Sequence, residues 1–394
     1  MARLSYRAAR DERDHDAFLE ITARSFAFPK EGLAVWLSQL GRENLRFVEE
    51  RGTPRGALAL LPMGQWFGGR RVPMCGFAAV GIEPEVRSLG VGRALMEGAL
   101  RELAERGIAL ATLYPSTAAF YRKLGFELAG TRSELRVALR TLNARRPPLA
   151  IRRGTSADDA AVRALYATVA ARSPGFLERH EYIWGRVRQW REEQRELYLF
   201  ERGRELAGYA FLARRRKDNG RHDVFVSDYA SSGSEAVQTL LALLASHRSL
   251  GDDLVFFGRH EDPLLLELDE LGEPHTRIAH SLPWVTRIVD APLALEARGY
   301  ALLHSATLGF ELDDKHLAHN RGRFLLQVER GRARVKKGGR GDLKLDVRAL
   351  SALYSGYLSA SSLAAAGRLE GSDGAIALAD ALFAGSPPCM PDMF

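Results

Sequence analysis

Val80-Gly81-Ile82-Glu83-Pro84-Glu85-Val86-Arg87-Ser88-Leu89-Gly90-Val91-Gly92-Arg93-Ala94-Leu95-Met96 is the most informative stretch of this chain. The apolar run from Phe77 to Ile82 predicts a strand that Pro84 interrupts. A loop of form R-x-x-G-x-G then opens an amphipathic helix with apolar residues at Ala94, Leu95, Ala99 and Leu103. Gly90 and Gly92 have no Cβ, so backbone can approach a ligand closely there. Unpaired N–H groups at a helix start form a positive concavity, and a pyrophosphate is the ligand that fits it best. Arg87 and Arg93 add charge-assisted contacts to the phosphates. The dinucleotide-binding G-x-G-x-x-G turn is a weaker reading, because Arg93-Ala94-Leu95 supplies no third glycine and no acidic ribose partner follows. For the loop alone, a glycine-rich turn capping a core helix is the plain alternative.

Working outward, the helix is followed by a strand over Ala109 to Tyr114. Pro115-Ser116-Thr117-Ala118-Ala119-Phe120-Tyr121-Arg122-Lys123-Leu124-Gly125-Phe126 then predicts a short helix stopped by Gly125. Upstream, a strand end at Tyr6 leads into a helical stripe, Ala17-Phe18-Ile21-Phe26. Strands over Leu45 to Glu49 and Gly56 to Leu60 come next. The same opening recurs at Ile151 to Asp159 with the stripe Ala161-Val162-Leu165-Tyr166. It is followed by strands over Leu197 to Glu201 and Gly208 to Phe211, so one α/β unit is present twice. Between the copies, Asn143-Ala144-Arg145-Arg146-Pro147-Pro148 suits a linker. After Pro283, short strands and two helical runs, from Arg348 and from Ala375, predict a third, α+β unit. The end, Pro387-Pro388-Cys389-Met390-Pro391-Asp392-Met393-Phe394, is apolar and stiffened by proline, which implies docking rather than fraying.

Bulk properties narrow the function classes. A chain of 394 residues with 46% hydrophobic and 27% charged content is expected to fold as several soluble globular cores. The charged start lacks an export-signal pattern, no segment is long enough for a membrane helix, and Cys75 and Cys389 are isolated, so a reducing cytoplasm is expected. The net charge of +7 comes from arginines spread among Glu and Asp, which indicates a solvated surface rather than a nucleic-acid interface.

The R-x-x-G-x-G loop after a strand, joined to the later F-Y-x-x-L-G-F at Phe120 to Phe126, resembles the GNAT-type acetyltransferases over most of the first domain. Beyond that domain the chain resembles the enhanced intracellular survival (Eis) family on three matches. The spacing from Val80-Gly81-Ile82 through Arg93 to Ser116-Thr117 and Tyr121 is the family's. The repeat at Ile151 has only Tyr229-Ala230-Ser231-Ser232-Gly233-Ser234 where the first copy has its glycine loop. Asp346 to Tyr354 and the terminal Phe394 are similar to the family's last domain.

The resemblance implies an α/β (α+β) chain with two tandem GNAT-type domains and a sterol-carrier-protein-like α+β domain. These are a catalytic domain over 1–145, a degenerate GNAT-type domain over 146–284 and the sterol-carrier-like domain over 285–394. It implies acetyl-CoA as co-substrate; no metal is expected, since no ligands cluster along the chain. In that fold Val80, Gly81 and Ile82 splay from their neighbour to pair with the pantetheine arm. The loop Arg87 to Arg93, with Ser88, Leu89, Gly90, Val91 and Gly92, holds the pyrophosphate, and Ser116 and Thr117 line the opposite wall. It further implies direct acetyl transfer to an amine of a small molecule or peptide, with Tyr121 as general acid and the Phe394 carboxylate as base or amine-orienting group. The expected assembly is a homo-oligomer, a hexamer, with no nucleic-acid or membrane partner.

Phe26, Phe28 and Trp36, with Asp392, are candidates to bind the acceptor amine by cation–π contact and charge, although packing explains Phe26 and Trp36 equally well. Only Glu31 is acidic between Ser25 and Glu31, which counts against a strongly polycationic acceptor. His316 and His319 lie one helical turn apart without other clustered ligands and are read as loop histidines rather than a metal site. Two other functions stay open: a carrier of lipid or another hydrophobic ligand, and a protein-lysine acetyltransferase.

Overall fold

The computed structural model describes residues 4–27, 29, 32, 36–37, 39–300 and 305–394. The chain divides into two compact units. One comprises Met1–Gly130, Trp284–Pro388 and Phe394, and the other Thr131–Pro283 with Cys389–Met393.

The first unit opens with β1 (Leu4–Ala8) and α1 (Glu12–Phe26), then β2 (Leu45–Glu50), β3 (Thr53–Phe67), β4 (Arg70–Ile82), α2 (Val91–Glu105), β5 (Leu110–Leu113) and the one-turn helix α3 (Ala118–Arg122). Asp11 caps α1 by accepting from the Arg13 and Asp14 amides. Gly68 and Gly69, both at positive φ (58° and 79°), form the two-residue turn between β3 and β4. The sheet runs β1-β2-β3-β4-β5 and is closed by residues 285–288. All its pairings are antiparallel except β4 with β5.

Helix α2 buries Leu95, Met96, Ala99, Leu100 and Leu103 against this sheet, a stripe at helical spacing. Val285, Val289 and Leu317 join the same core, so residues far along the chain complete the N-terminal domain's interior. A polar anchor ties α2 down. Glu102 receives Arg46 Nε at 2.7 Å and Nη2 at 2.6 Å, and the Tyr6 hydroxyl at 2.6 Å.

The second unit takes residues 131–138 of β6 (Glu127–Ala138), then β7 (Ala150–Arg153), α4 (Asp159–Ala171), β8 (Glu196–Arg202), β9 (Glu205–Arg216), β10 (His222–Ser231), α5 (Ser234–Ala245) and β11 (Gly251–Gly258). The order β7-β8-β9-β10-β11 repeats β1 to β5, again with only the last pair parallel. Its own core gathers Val224, Val226, Leu240, Leu244, Leu254 and Phe256 around α5. Strand β12 (Thr276–Ile288) then leads back to the first unit.

The remainder of the first unit is a small α+β module. It holds α6 (Ala291–Ala297), β13 (Ala306–Asp313), β14 (Gly322–Glu329), β15 (Arg332–Lys337), β16 (Leu343–Asp346), α7 (Val347–Ser355), α8 (Ala360–Ala365), β17 (Leu369–Gly371) and α9 (Asp373–Phe383), with sheet order β15-β14-β13-β16-β17. Arg287 and Asp314, both buried, pair at 2.7 Å and fasten the module to β12. The chain end is docked: Cys389 and Met390 are buried, their amides donating to Pro174 and Thr131 carbonyls within the second unit.

Candidate active site

The site forms where β4 and β5 part. Their parallel pairing covers only Met74, Cys75 and Gly76 against Leu110, Ala111 and Thr112, whereas β4 continues to Ile82 and stays paired with β3 up to Gly56. From Phe77 to Ile82 the other edge of β4 is paired with no strand among the described residues. A bulge opposite Leu58, with Ala79 at a φ of 49°, turns this part of the strand. Val80 and Ile82 pack partly on the core, and Gly81 lets Ser25 of α1 approach closely, the Ser25 hydroxyl donating to the Ile82 carbonyl at 3.3 Å.

Beyond β4, the turn through Arg87, Ser88 and Leu89 leads to Gly90, with Ser88 and Gly90 in the left-handed region at 66° and 87°. Gly90 is the N-cap of α2. No side chain caps that helix, its first turn has no acidic residue, and a Cβ on Gly90 would meet nothing within 4 Å. The start of α2 is therefore an uncapped positive helix end facing open space, a cradle suited to a phosphate. Arg87 and Leu89 are exposed and Val91 is buried. Arg93 is held on its own helix by Glu97 at 2.8 Å. Gly92 sits against Phe120, whose Cζ would lie 3.2 Å from an added Cβ, so the loop and α3 meet across 28 residues of sequence.

Thr117 begins α3 without a side-chain cap, and it and Ser116 are exposed. Tyr121 is 6% exposed, its ring edge-on to Phe120 (5.0 Å) and Phe126 (5.9 Å). Burial alone pushes its phenol up to about 12. The Phe394 ring lies on Gly76, the last β4 residue paired with β5, and edge-on to Tyr114 at 6.2 Å. An added Gly76 Cβ would be 2.6 Å from Phe394 Cε2, so only glycine leaves room for this ring. Sequence reasoning missed Gly76 and Tyr114, although a glycine inside a buried strand is itself a sign of close approach.

The expected acceptor residues are not gathered together. Phe26 ends α1 at 37% exposure, and Trp36 packs on the buried Phe18 ring at 6.3 Å. Phe28 and Glu31 lie outside the described residues. Asp392, expected to draw a cationic amine, is instead buried in the second unit, where it takes hydrogen bonds from Arg179 Nε at 3.1 and 2.9 Å. His316 and His319 both hydrogen-bond to protein, His319 to the Val289 carbonyl at 2.9 Å. Among the described residues no three His, Cys, Asp or Glu could hold a metal, and no helix is long and apolar enough to cross a membrane.

Comparison with known proteins agrees with this geometry. Residues 5–129 and 175–288 each match an acetyltransferase (GNAT) domain, and residues 291–391 match a sterol carrier protein domain. A GCN5-related N-acetyltransferase structure from Anabaena variabilis superposes over the full length of both chains with a TM-score of 0.95 and 33% identity. An uncharacterized N-acetyltransferase of Streptomyces griseus is 31% identical over 83% of each chain. The N-acetyltransferase Eis of Mycobacterium tuberculosis is 28% identical over 80% of this chain and 79% of its own. Domain content and site together define an acetyl-CoA-dependent N-acetyltransferase of the GNAT fold, which implies an amine-bearing acceptor. Within that class, the chain belongs to the Eis-type family, with two GNAT domains followed by a sterol-carrier-like domain.

Proposed function

We propose that this enzyme transfers acetyl directly to an amine of a small molecule or peptide, using Tyr121 as proton donor and the Phe394 carboxylate as amine-orienting group or base. The observation that supports this most is the uncapped, glycine-framed start of α2 beside the unpaired edge of β4, with the Phe394 ring lying where β4 and β5 part.

Acetyl-CoA supplies the activated acetyl carbon and a thiolate leaving group. In this reading the amides at Gly90 to Arg93, with Arg87 and Arg93, hold the pyrophosphate. The Val80–Ile82 backbone pairs with the pantetheine amides as an added strand would, and Ser116 and Thr117 form the facing wall. A phenol pushed up to about 12 keeps its proton at neutral pH and has it available for the departing sulfur. The Phe394 α-carboxylate, ordinarily ionised above about 3.7, attracts and orients a cationic amine, and desolvation makes it a better base. Phe26 borders the acceptor approach. The domain division at 145/146 and 284/285, assembly as a hexamer and a cytoplasmic location belong to this reading on family likeness.

Titration calorimetry with CoA is expected to give one site per chain. The double substitution Arg87→Ala/Arg93→Ala is expected to weaken it by roughly a hundredfold or more, since each charge-assisted contact is worth about 1.5 kcal/mol or more. An intact protein that ignores CoA, or that releases no thiol from acetyl-CoA with any amine, overturns the reading.

A further inference from the structure

His316 follows β13, in the sterol-carrier-like module, and its side chain is only 13% exposed. Its ring reaches two elements of the site. Nδ1 lies 3.1 Å from Glu97 Oε1 on α2, and Nε2 lies 2.8 Å from the Lys123 carbonyl, at the residue that caps α3 two positions after Tyr121. A carboxylate and a peptide carbonyl are both acceptors, so a ring that satisfies both donates from both nitrogens and carries a positive charge. Neutral imidazole has one N–H and gives up one of the two bonds.

Glu97 is shared. The Oε1 atom that faces His316 also accepts from Arg93 Nε at 2.8 Å. Burial would raise the Glu97 carboxyl, but the hydrogen bonds and charges of Arg93 and His316 outweigh it and hold the group below its usual range. The carboxylate thus stands between a histidine of the last domain and an arginine of the glycine loop.

Other charged groups around the ring are already committed or exposed. Asp314 accepts the His316 main-chain N–H at 3.0 Å and is neutralised by Arg287. Lys315 is exposed, Lys123 offers its carbonyl, and the His319 ring is bonded to the Val289 carbonyl.

We propose that protonated His316 is a positioning residue of the acetyl-transfer site: it braces α2 against the end of α3 and holds Glu97 so that the Arg93 guanidinium serves the coenzyme's pyrophosphate. Without this ring Glu97 is neutralised by Arg93 alone, which is drawn back along α2, and coenzyme affinity falls. This inference rests on the pyrophosphate reading of the loop from Arg87 to Arg93.

The test is calorimetry of the full chain with coenzyme A. His316→Gln is expected to bind roughly three- to fivefold more weakly than the intact chain, as befits the loss of one partly exposed ion pair. Glu97→Gln, which leaves Arg93 without its carboxylate, and the double variant His316→Gln/Glu97→Gln are expected to bind at least as tightly as the intact chain. A His316→Gln chain that melts at the wild-type temperature and binds with the wild-type affinity overturns the proposal. If that variant does not fold, a Glu97→Gln chain that binds more weakly than the intact chain overturns it equally. Absence of binding by the unsubstituted chain would instead remove the pyrophosphate reading beneath it.

Discussion

The two GNAT-type sheets part at the same place and are filled differently. In the first unit, β4 leaves β5 after Gly76; in the second, β10 leaves β11 after Val226. Past the first parting, α2 begins at an uncapped glycine without an acidic first turn, and the Phe394 ring rests on Gly76. Past the second, Asp228 points to Arg179, which donates to it twice at 2.7 Å and also to Asp392, while the Tyr209 hydroxyl adds a bond of 2.7 Å. The Arg179 guanidinium stacks on Tyr166 at 3.8 Å and Trp184 at 4.7 Å. The helix that follows carries Glu235 in its first turn, paired with Arg202, where a phosphate would meet a carboxylate. One architecture thus yields an open, uncapped helix start in one copy and a buried ion network in the other, because function depends on the residues placed on a fold rather than on the fold itself.

The largest effect that sharpens this contrast is expected from Tyr121→Phe, which removes the proposed proton donor and should lower kcat by roughly 10²- to 10⁴-fold with little change in CoA affinity. Steady-state kinetics with a good amine acceptor would show it, and an unchanged kcat would move the donor elsewhere. In the second unit, Arg179→Met should cost about 3–5 kcal/mol in denaturant unfolding, because two buried carboxylates lose their counter-charge. A cost below about 1 kcal/mol, the value of an exposed pair, would break the comparison by showing that the second parting is not a filled one. Asp392→Asn should cost less, since burial already pushes that carboxyl up toward its neutral form against the pull of Arg179.

A smaller loss should follow from adding two glycines after Phe394. It should lower kcat roughly tenfold or more by removing the carboxylate next to the ring, and full activity in the extended chain would exclude the terminus from catalysis. The smallest effect concerns the anchor of α2. Burial would raise Glu102, but hydrogen bonds from Arg46 and Tyr6 outweigh it and bring the group down to about 2. A depressed carboxyl contributes stability that is present above its unfolded value, ordinarily about 4.3, and is lost as pH falls toward the folded one. Melting temperature should therefore fall between about pH 4.5 and pH 2, and Glu102→Gln should flatten that limb while lowering stability at neutral pH.

Much of this was legible in the chain. The internal repeat was visible because each copy carries the same succession of period-2 and period-3.6 runs, and the glycine loop because Gly90 and Gly92 interrupt an apolar pattern at a strand-to-helix junction. The docked end was legible from its prolines and apolar residues. What it docks against was not: Asp392 reads as an acceptor ligand near the terminus, yet it pairs with Arg179 across 213 positions. His316 similarly reads as a loop histidine, yet it bonds Glu97 across 219. The sterol-carrier-like module reads as separate, yet Val289 and Leu317 lie in the core of the first sheet.

By itself the sequence determined which segments become strands and helices, that the α/β unit occurs twice, and where a glycine-framed, uncapped helix start falls. These properties depend on residues within a few turns of one another, and sterics and local periodicity encode them directly. Only the tertiary structure decided that Phe394 settles on Gly76, that Asp392 is held by Arg179, and that a histidine of the last module reaches both helices of the site. Such pairings arise when distant surfaces close on each other and exclude water, and the energy gained there leaves no periodic mark on the chain.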